Sequence, residues 1–261
     1  MKVPHTTYGH RLGQEAECTN SGAKGIISCI STHIAGCQFV TLDCKVVING
    51  KETTQAFTSS TVNTKTLNNS RVMEYENNCE KNSPSLGEIE LGCEVVLIRS
   101  GRKGIVCEYS LDFSGSITLS VSFPYDQESQ MNGDDKLSAV FIGEIERCGD
   151  GIVEKLNKNI TKRSEGTLET PKKFMRVRSI IDGCEGVVAV VAEYSNGTMH
   201  IGIQPENWNN KKPNIEFHDV ELIEIIRDKE DKPLVTEGNA NKGEPTGCIM
   251  FEGTNNLMRS I

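Results

Sequence analysis

The segment SGRKGIVCEY, residues 100–109, places two glycines three positions apart, directly before an apolar run. The same spacing, with a third glycine eleven positions after the second, occurs three times in the 261-residue chain. The offsets between successive copies are 79 and 82 residues. A repeat of this period predicts three structural units of one design. The glycines are Gly22, Gly25 and Gly36; Gly101, Gly104 and Gly115; and Gly183, Gly186 and Gly197.

Short segments in which apolar and polar residues alternate flank each glycine motif, a pattern typical of half-buried antiparallel strands. Each unit is therefore predicted to contain a strand, a glycine turn, two strands, a loop of variable length and a final strand. The final strands are predicted in SRVMEYE (70–76), SAVFIGEIE (138–146) and VELIEII (220–226). Five short strands are best closed as a small barrel, because closure removes exposed edges.

The motif glycines are predicted to be structural turn residues. A positive φ costs a residue other than glycine about 1–2 kcal/mol, and close approach of neighbouring strands also favours glycine. The alternative of a phosphate-binding loop lacks the G-x-x-x-x-G-K-[ST] sequence, and no helix is predicted to follow whose N-terminus would hold an anion.

The stretch LGCEVVLIRSGRKGIVCEYS, residues 91–110, resembles the KOW element of SH3-like barrels, with weaker echoes in the other two units. The resemblance implies an all-β fold of three tandem five-stranded SH3-like barrels, and contacts with RNA or ribosomal protein. The third unit, with AEYSNG before its last glycine and IQP after it, is also similar to short bacteriophage proteins. The predicted parts are barrels at 8–78, 88–148 and 171–228, a basic linker at 149–170 and a flexible tail at 229–261.

Charge argues against general binding to nucleic acid. The chain carries a formal net charge of −8. The segment 88–148 has five Lys and Arg against eleven Asp and Glu, and the segment 175–228 has five against nine. A nonspecific nucleic-acid binder needs an excess of cations to displace counterions. Arg99, Arg102 and Lys103 form the one compact basic cluster near a turn; they are either a solvated turn or a partner contact.

The sequence contains no catalytic or metal-binding motif. The five histidines are scattered, and neither an H-E-x-x-H nor a G-x-S-x-G sequence is present. None of the ten cysteines forms a C-x-x-C pair, which argues against a zinc ribbon. We expect most of them to be small buried side chains in a reducing compartment, with disulfides as the alternative. We predict no enzyme activity, no cofactor and no metal.

Other candidate partner-binding residues lie outside the repeats' strands. Trp208, in the loop PENWNNKKP, either packs on its own unit or stacks on a ligand. The chain ends in an apolar cluster that either folds back or docks on another subunit; its candidate contacts are Met250, Phe251, Leu257 and Met258. No apolar run approaches the length of a membrane span, and the N-terminus lacks the apolar core of a secretion signal.

Together these features predict a non-enzymatic structural or assembly protein. The phage resemblance favours an accessory virion protein that decorates or connects capsid or tail subunits, made in the cytoplasm and then incorporated in a particle. Its partners would be other proteins, including copies of itself, without a membrane. The alternative is a binding module for nucleic acid, nucleotide or a host protein.

Overall fold

The structure is a computed structural model in which two compact units can be described. One comprises the described residues within 1–121 and 138–151, and the other those within 122–137 and 152–254. The described residues are 6–7, 9–19, 21–48, 51–58, 62–63, 70–82, 85–125, 137–193, 197–205 and 214–235.

The first repeat is an antiparallel sheet with the strand order β7-β3-β4-β5-β6. A short hairpin, β1 and β2, precedes it. The strands are β1 (Thr6–Thr7), β2 (His10–Arg11), β3 (Glu15–Cys18), β4 (Lys24–His33), β5 (Gln38–Ile48), β6 (Lys51–Thr58) and β7 (Val62–Asn63).

The second repeat has the order β12-β8-β9-β10-β11, with a 3-10 turn, Ile142–Glu144, before its last strand. Its strands are β8 (Glu94–Leu97), β9 (Lys103–Asp112), β10 (Ile117–Ser122), β11 (Leu137–Phe141) and β12 (Ile145–Gly149). In both repeats the first strand of the meander lies between the second strand and the last one.

The third repeat has the order β17-β13-β14-β15-β16 and a 3-10 turn, Val220–Leu222, at the matching place. Its strands are β13 (Arg176–Ser179), β14 (Glu185–Glu193), β15 (Met199–Pro205), β16 (Glu216–Asp219) and β17 (Ile223–Ile225). The prediction of an all-β protein is confirmed in part: the described residues lie mostly in antiparallel strands, and two helices accompany them. The described pairings leave each five-strand path open at its ends, however, so the predicted closed barrels are not seen.

The motif glycines have two different conformations. The first glycine of each motif has φ between +68° and +74°; these are Gly22, Gly101 and Gly183. Its N–H donates to the carbonyl oxygen of the residue four positions earlier, over 2.8–3.0 Å. In repeats one and three the middle glycine allows close strand approach instead: a Cβ on Gly25 would lie 2.6 Å from the Asp43 carbonyl oxygen, and one on Gly186 would clash with the Gln204 carbonyl oxygen. The last glycine of each motif also has a positive φ, at Gly36 (+85°), Gly115 (+80°) and Gly197 (+81°).

The turn at Gly101 already uses the amides that a phosphate would need. Gly101 N–H donates to the Leu97 carbonyl, and Arg102 N–H donates to Ser100 Oγ over 3.3 Å. The same side-chain bond recurs at the other turns. Ser21 Oγ accepts from Ala23 N–H in the first repeat, and Asp182 Oδ1 accepts from Cys184 N–H in the third. These bonds hold the turn closed on itself.

Alternating residues of the strands form the cores. In the third repeat the core consists of seven buried residues, and all are apolar. They are Val177, Cys184, Val188, Ile201, Ile203, Val220 and Ile223. The cysteines follow the same pattern, since six of the nine described ones are buried and all nine are free thiols; Cys248 lies outside the described residues.

The segment predicted as the last strand of the first repeat is a helix, α1 (Ser70–Asn82). Its buried residues Val72, Tyr75 and Cys79 are three and four positions apart, the spacing of one helix face. The prediction of a strand was wrong because the apolar residues of SRVMEYE fit both periods, and the next buried residue, Cys79, lies beyond that segment. The last strand of the repeat is β7 instead.

A second helix, α2 (Val153–Ser164), occupies most of the predicted basic linker and packs on the third repeat. Leu156 is buried, Asn159 Nδ2 donates to the Glu221 carbonyl over 2.8 Å, and Lys155 Nζ lies 2.7 Å from Glu224 Oε2. Arg163 pairs with the Glu221 carboxylate and donates to the Gly197 carbonyl. The segment 149–170 is thus mainly a docked helix.

The start of the predicted flexible tail also has regular structure. Arg227 and Pro233 form an isolated antiparallel bridge, and Val235 forms another with Met175 at the edge of β13. Residues 229–235 therefore fold back on the third repeat, and residues 236–261 lie outside the described part of the chain.

Candidate protein-interaction surface

Repeats one and two are joined by direct pairing of their second strands, β4 and β9. Residues 29–33 run antiparallel to residues 108–112, so the two repeats share one sheet. Strand β5 pairs with β4 along one edge, and β3 covers only the first residues of the other edge. Strand β9 therefore occupies the part of that edge that β3 leaves free.

The register of this seam is symmetric. Ser31 lies opposite Ser110, and these two residues are equivalent under the 79-residue repeat offset. Cys29 opposite Asp112 and His33 opposite Glu108 are likewise exchanged by that offset. The seam thus has the residue pattern of a two-fold, isologous contact, formed within one chain.

Small hydroxyl groups lie at the centre of the seam and apolar side chains lie beside them. Ser31 Oγ and Ser110 Oγ are 2.7 Å apart, and Ser110 Oγ also donates to Glu108 Oε1 over 3.1 Å. The next pair, Ile30 opposite Leu111, is buried. Cross-strand pairs of both kinds stabilise sheets, so the seam is a packed contact.

Cys29 lies in this seam but is not an activated nucleophile. Burial raises the pKa of its thiol above the usual value, while hydrogen bonds with Ser31 and Ser110 act in the opposite direction. A thiolate is the reactive form of cysteine, so a raised pKa keeps the group protonated. Its role in the seam is packing.

The equivalent edge of the third repeat, Val190–Glu193 of β14, has no strand paired to it among the described residues. Strand β15 pairs with β14 as far as Glu193, whereas β13 pairs only with Glu185–Val187. The register of β14 shifts at Ala189, which corresponds to Ser28, where β4 shifts. The third repeat therefore keeps the local geometry of the seam strand but leaves the edge free.

A partly exposed apolar cluster begins at this free edge and extends across β15 to the start of β16. A Cβ placed on Gly202 of β15 would lie 3.0–3.1 Å from side-chain atoms of Val190, Ile215 and Phe217. Phe217 is 54% exposed and Ile215 is 37% exposed. We call Val190, Ile215 and Phe217 the β14–β16 patch. A contiguous exposed apolar surface is a candidate interaction site.

Phe174 has a backbone conformation that is rare for a bulky residue. Its φ is +69°, and it occupies the position of Gly13 and Gly92 in the other repeats, whose φ values are +80° and +89°. All three N–H groups donate to the equivalent carbonyl of the second strand, which for Phe174 is that of Val188. The side chain is 44% exposed, so packing does not explain the choice of phenylalanine.

The predicted basic cluster is exposed and lies at the β8–β9 turn. Arg99, Arg102 and Lys103 are all exposed, and Lys103 Nζ is 3.8 Å from Glu94 Oε2. The cluster belongs to the second repeat. The remaining predicted contacts, Trp208, Met250, Phe251, Leu257 and Met258, lie outside the described residues.

Serine and histidine side chains meet in the third repeat without forming a catalytic set. Ser179 Oγ is 3.4 Å from His218 Nδ1, and His200 Nε2 is 3.0 Å from Asp219 Oδ1. Ser179 is 0% exposed, so a substrate does not reach its hydroxyl. Within the described ranges, no three His, Cys, Asp or Glu side chains are grouped to hold a metal ion.

Comparison with protein-family models and with curated proteins gave no match. Of the helices in the described part of the chain, neither has the length and apolar character needed to cross a membrane. Sequence reasoning missed the seam and the β14–β16 patch. The repeat offset was the available signal for the seam, since it aligns Ser31 with Ser110, but it does not reveal which strands pair.

Proposed function

We propose that this protein is a non-enzymatic assembly protein built from SH3-like units that associate through strand edges, repeats one and two with each other and the third repeat with partner proteins. The observation that carries this proposal is the β4–β9 seam, in which two units of one design already associate by edge pairing. The common strand order and the matching 3-10 turns of repeats two and three support the SH3-like assignment.

The surface features of the third repeat support a holding role without turnover. The free edge Val190–Glu193 and the β14–β16 patch can contribute backbone hydrogen bonds and apolar area to a partner strand. Ser179 of the third repeat is buried, and a raised pKa keeps the Cys29 thiol of the first repeat protonated, so neither side chain is an exposed nucleophile. Partner binding accounts for the free edge and the β14–β16 patch, and packing accounts for Ser179 and Cys29.

The resemblance to bacteriophage proteins extends this proposal to an accessory virion protein that decorates or connects capsid or tail subunits. Quantitative mass spectrometry of particles purified from the source system tests it, with a soluble nonstructural protein of the same source as the control. We expect a fixed copy number of the chain per particle that survives washing at high salt. Absence from the particles would refute the virion role.

The alternative is a nucleic-acid-binding module, and the exposed Arg99, Arg102 and Lys103 at the KOW-like turn favour it. A gel-shift titration at about 150 mM salt distinguishes the two. We expect weak or no binding to arbitrary duplex DNA, because the acidic repeats give little counterion release. Submicromolar, salt-sensitive binding that is lost in an Arg99→Ala, Arg102→Ala, Lys103→Ala variant would support the alternative instead.

A further inference from the structure

We propose that β14 pairs antiparallel with β14 of a second copy of this chain, with Ala192 opposite Ala192 on a two-fold axis. This rests on the proposed function as an assembly protein and adds the partner, the strand and the register. Within the chain, the second strands of repeats one and two pair in this way. The third repeat has no internal counterpart in the described residues, so a second copy supplies one.

The register follows from the seam. Ser31 and Ser110 lie on its symmetry axis, and the 82-residue offset from Ser110 leads to Ala192. The neighbours of the axis in the seam are Ile30 and Leu111. In a β14 pair, Val191 of one copy would lie opposite Glu193 of the other. An isologous contact requires each residue pair to occur twice in this manner.

The local chemistry of β14 suits this pairing. Ala192 is small and, like Ser31 at the centre of the seam, it is buried within its own repeat, so its side chain adds little bulk at the axis. Val190, two positions from Ala192 in the free edge, would contribute apolar area from both copies. A strand edge with free N–H and C=O groups is a template for another strand, and β14 already has the shift at Ala189 that the seam strand β4 has at Ser28.

Glu193 is the one unfavourable residue. Its equivalents in the seam strands are Thr32 and Leu111, and Leu111 is buried. An exposed carboxylate opposite Val191 weakens the pair, since charges at an edge oppose strand addition. We therefore expect a reversible dimer, and Glu193→Thr, which restores the residue of the first repeat, should lower the dimer Kd about tenfold through its two symmetric pairs.

Site-specific cross-linking of the full chain tests the register. In an antiparallel pair centred on residue 192, the two Ala192 Cα atoms are about 4.5–5.5 Å apart, within the range of a disulfide. Ala192→Cys should therefore give a disulfide-linked dimer joined at position 192, identified by peptide mass spectrometry. The matched control, Glu193→Cys, should not cross-link to itself, because its Cα atoms would be more than about 7 Å apart.

Sedimentation equilibrium of the reduced, unmodified chain and of Glu193→Thr completes the test. Supporting results are a monomer–dimer equilibrium that Glu193→Thr tightens and a linkage at 192 that exceeds linkage at 193. A chain that stays monomeric up to about 100 µM, a preferred linkage at 193, or a dimer that Glu193→Thr leaves unchanged would each overturn the inference. A chain that fails to dimerise but is present in particles at fixed copy number would leave the proposed function standing.

Discussion

At the scale of single residues, Phe174 shows how a repeat departs from its own design. The backbone of the repeat requires a positive φ at this position, and repeats one and two meet the requirement with Gly13 and Gly92. Repeat three places an exposed phenylalanine there, at a cost of about 1–2 kcal/mol. Strained residues of this kind cluster at functional sites. Phe174 N–H donates to the Val188 carbonyl, so Phe174 lies on the same edge of β14 as the free segment Val190–Glu193.

Phe174→Gly is expected to raise the free energy of unfolding of the third repeat by about 1 kcal/mol, because glycine adopts a positive φ without the Cβ clash. Chemical denaturation followed by the near-ultraviolet signal measures it. The matched control is Gly92→Ala, which introduces a Cβ at φ +89° and should lower stability by about 1–2 kcal/mol. Loss of stability in Phe174→Gly would show that the side chain contributes more by packing than the backbone strain costs.

At the scale of elements, strands were easier to predict than helices. The alternation in segments such as SITLSVSF and the glycine spacing identified the turn and the strands around it, because both depend on local backbone geometry. Helix α1 was misread because Val72 and Tyr75 alone do not separate the two periods, and its partner Phe113, whose ring centroid is 5.6 Å from that of Tyr75, is distant in sequence. Helix α2 is polar apart from Val153, Leu156 and Ile160, so its docking depends largely on charge pairing with the third repeat.

Arg163→Met is expected to lower the free energy of unfolding of the third repeat by about 3 kcal/mol, because it leaves the buried Glu221 carboxylate without its cation. Thermal and urea denaturation of the full chain measure the change. Arg163→Met combined with Glu221→Gln should recover part of the loss, since no charge is then stranded. Lys155→Met, which removes an exposed pair with Glu224, is the control and should cost less than about 1 kcal/mol. Equal effects of the two single substitutions would contradict a special role for Arg163.

At the scale of the whole molecule, the repeat predicted three similar units, and the pairing of β4 with β9 joins two of them in one sheet. The sequence did not indicate this, since edge pairing depends on which strand surfaces meet in three dimensions. The same limit applied to the candidate surface: Val190, Ile215 and Phe217 are adjacent only because Gly202 lies between their strands. The acidic charge of repeats two and three was evident from composition, and the lack of a catalytic motif was evident from residue spacing. Both underlie the proposed assembly role.

Ile30→Ala is expected to destabilise repeats one and two together. Ile30 is buried in the first repeat and lies opposite Leu111 of the second, so its removal leaves a cavity at the seam and should cost about 2–5 kcal/mol. Native-state hydrogen exchange resolved by peptide should show faster exchange in both β4 and β9, because strands of one sheet open as a cooperative unit. The matched substitution Ile201→Ala, in the core of the third repeat, should accelerate exchange in β14 and β15. Faster exchange in β4 with unchanged protection of β9 would show that the seam does not couple the two repeats. That result would weaken the proposal of assembly by edge pairing, which depends on this seam.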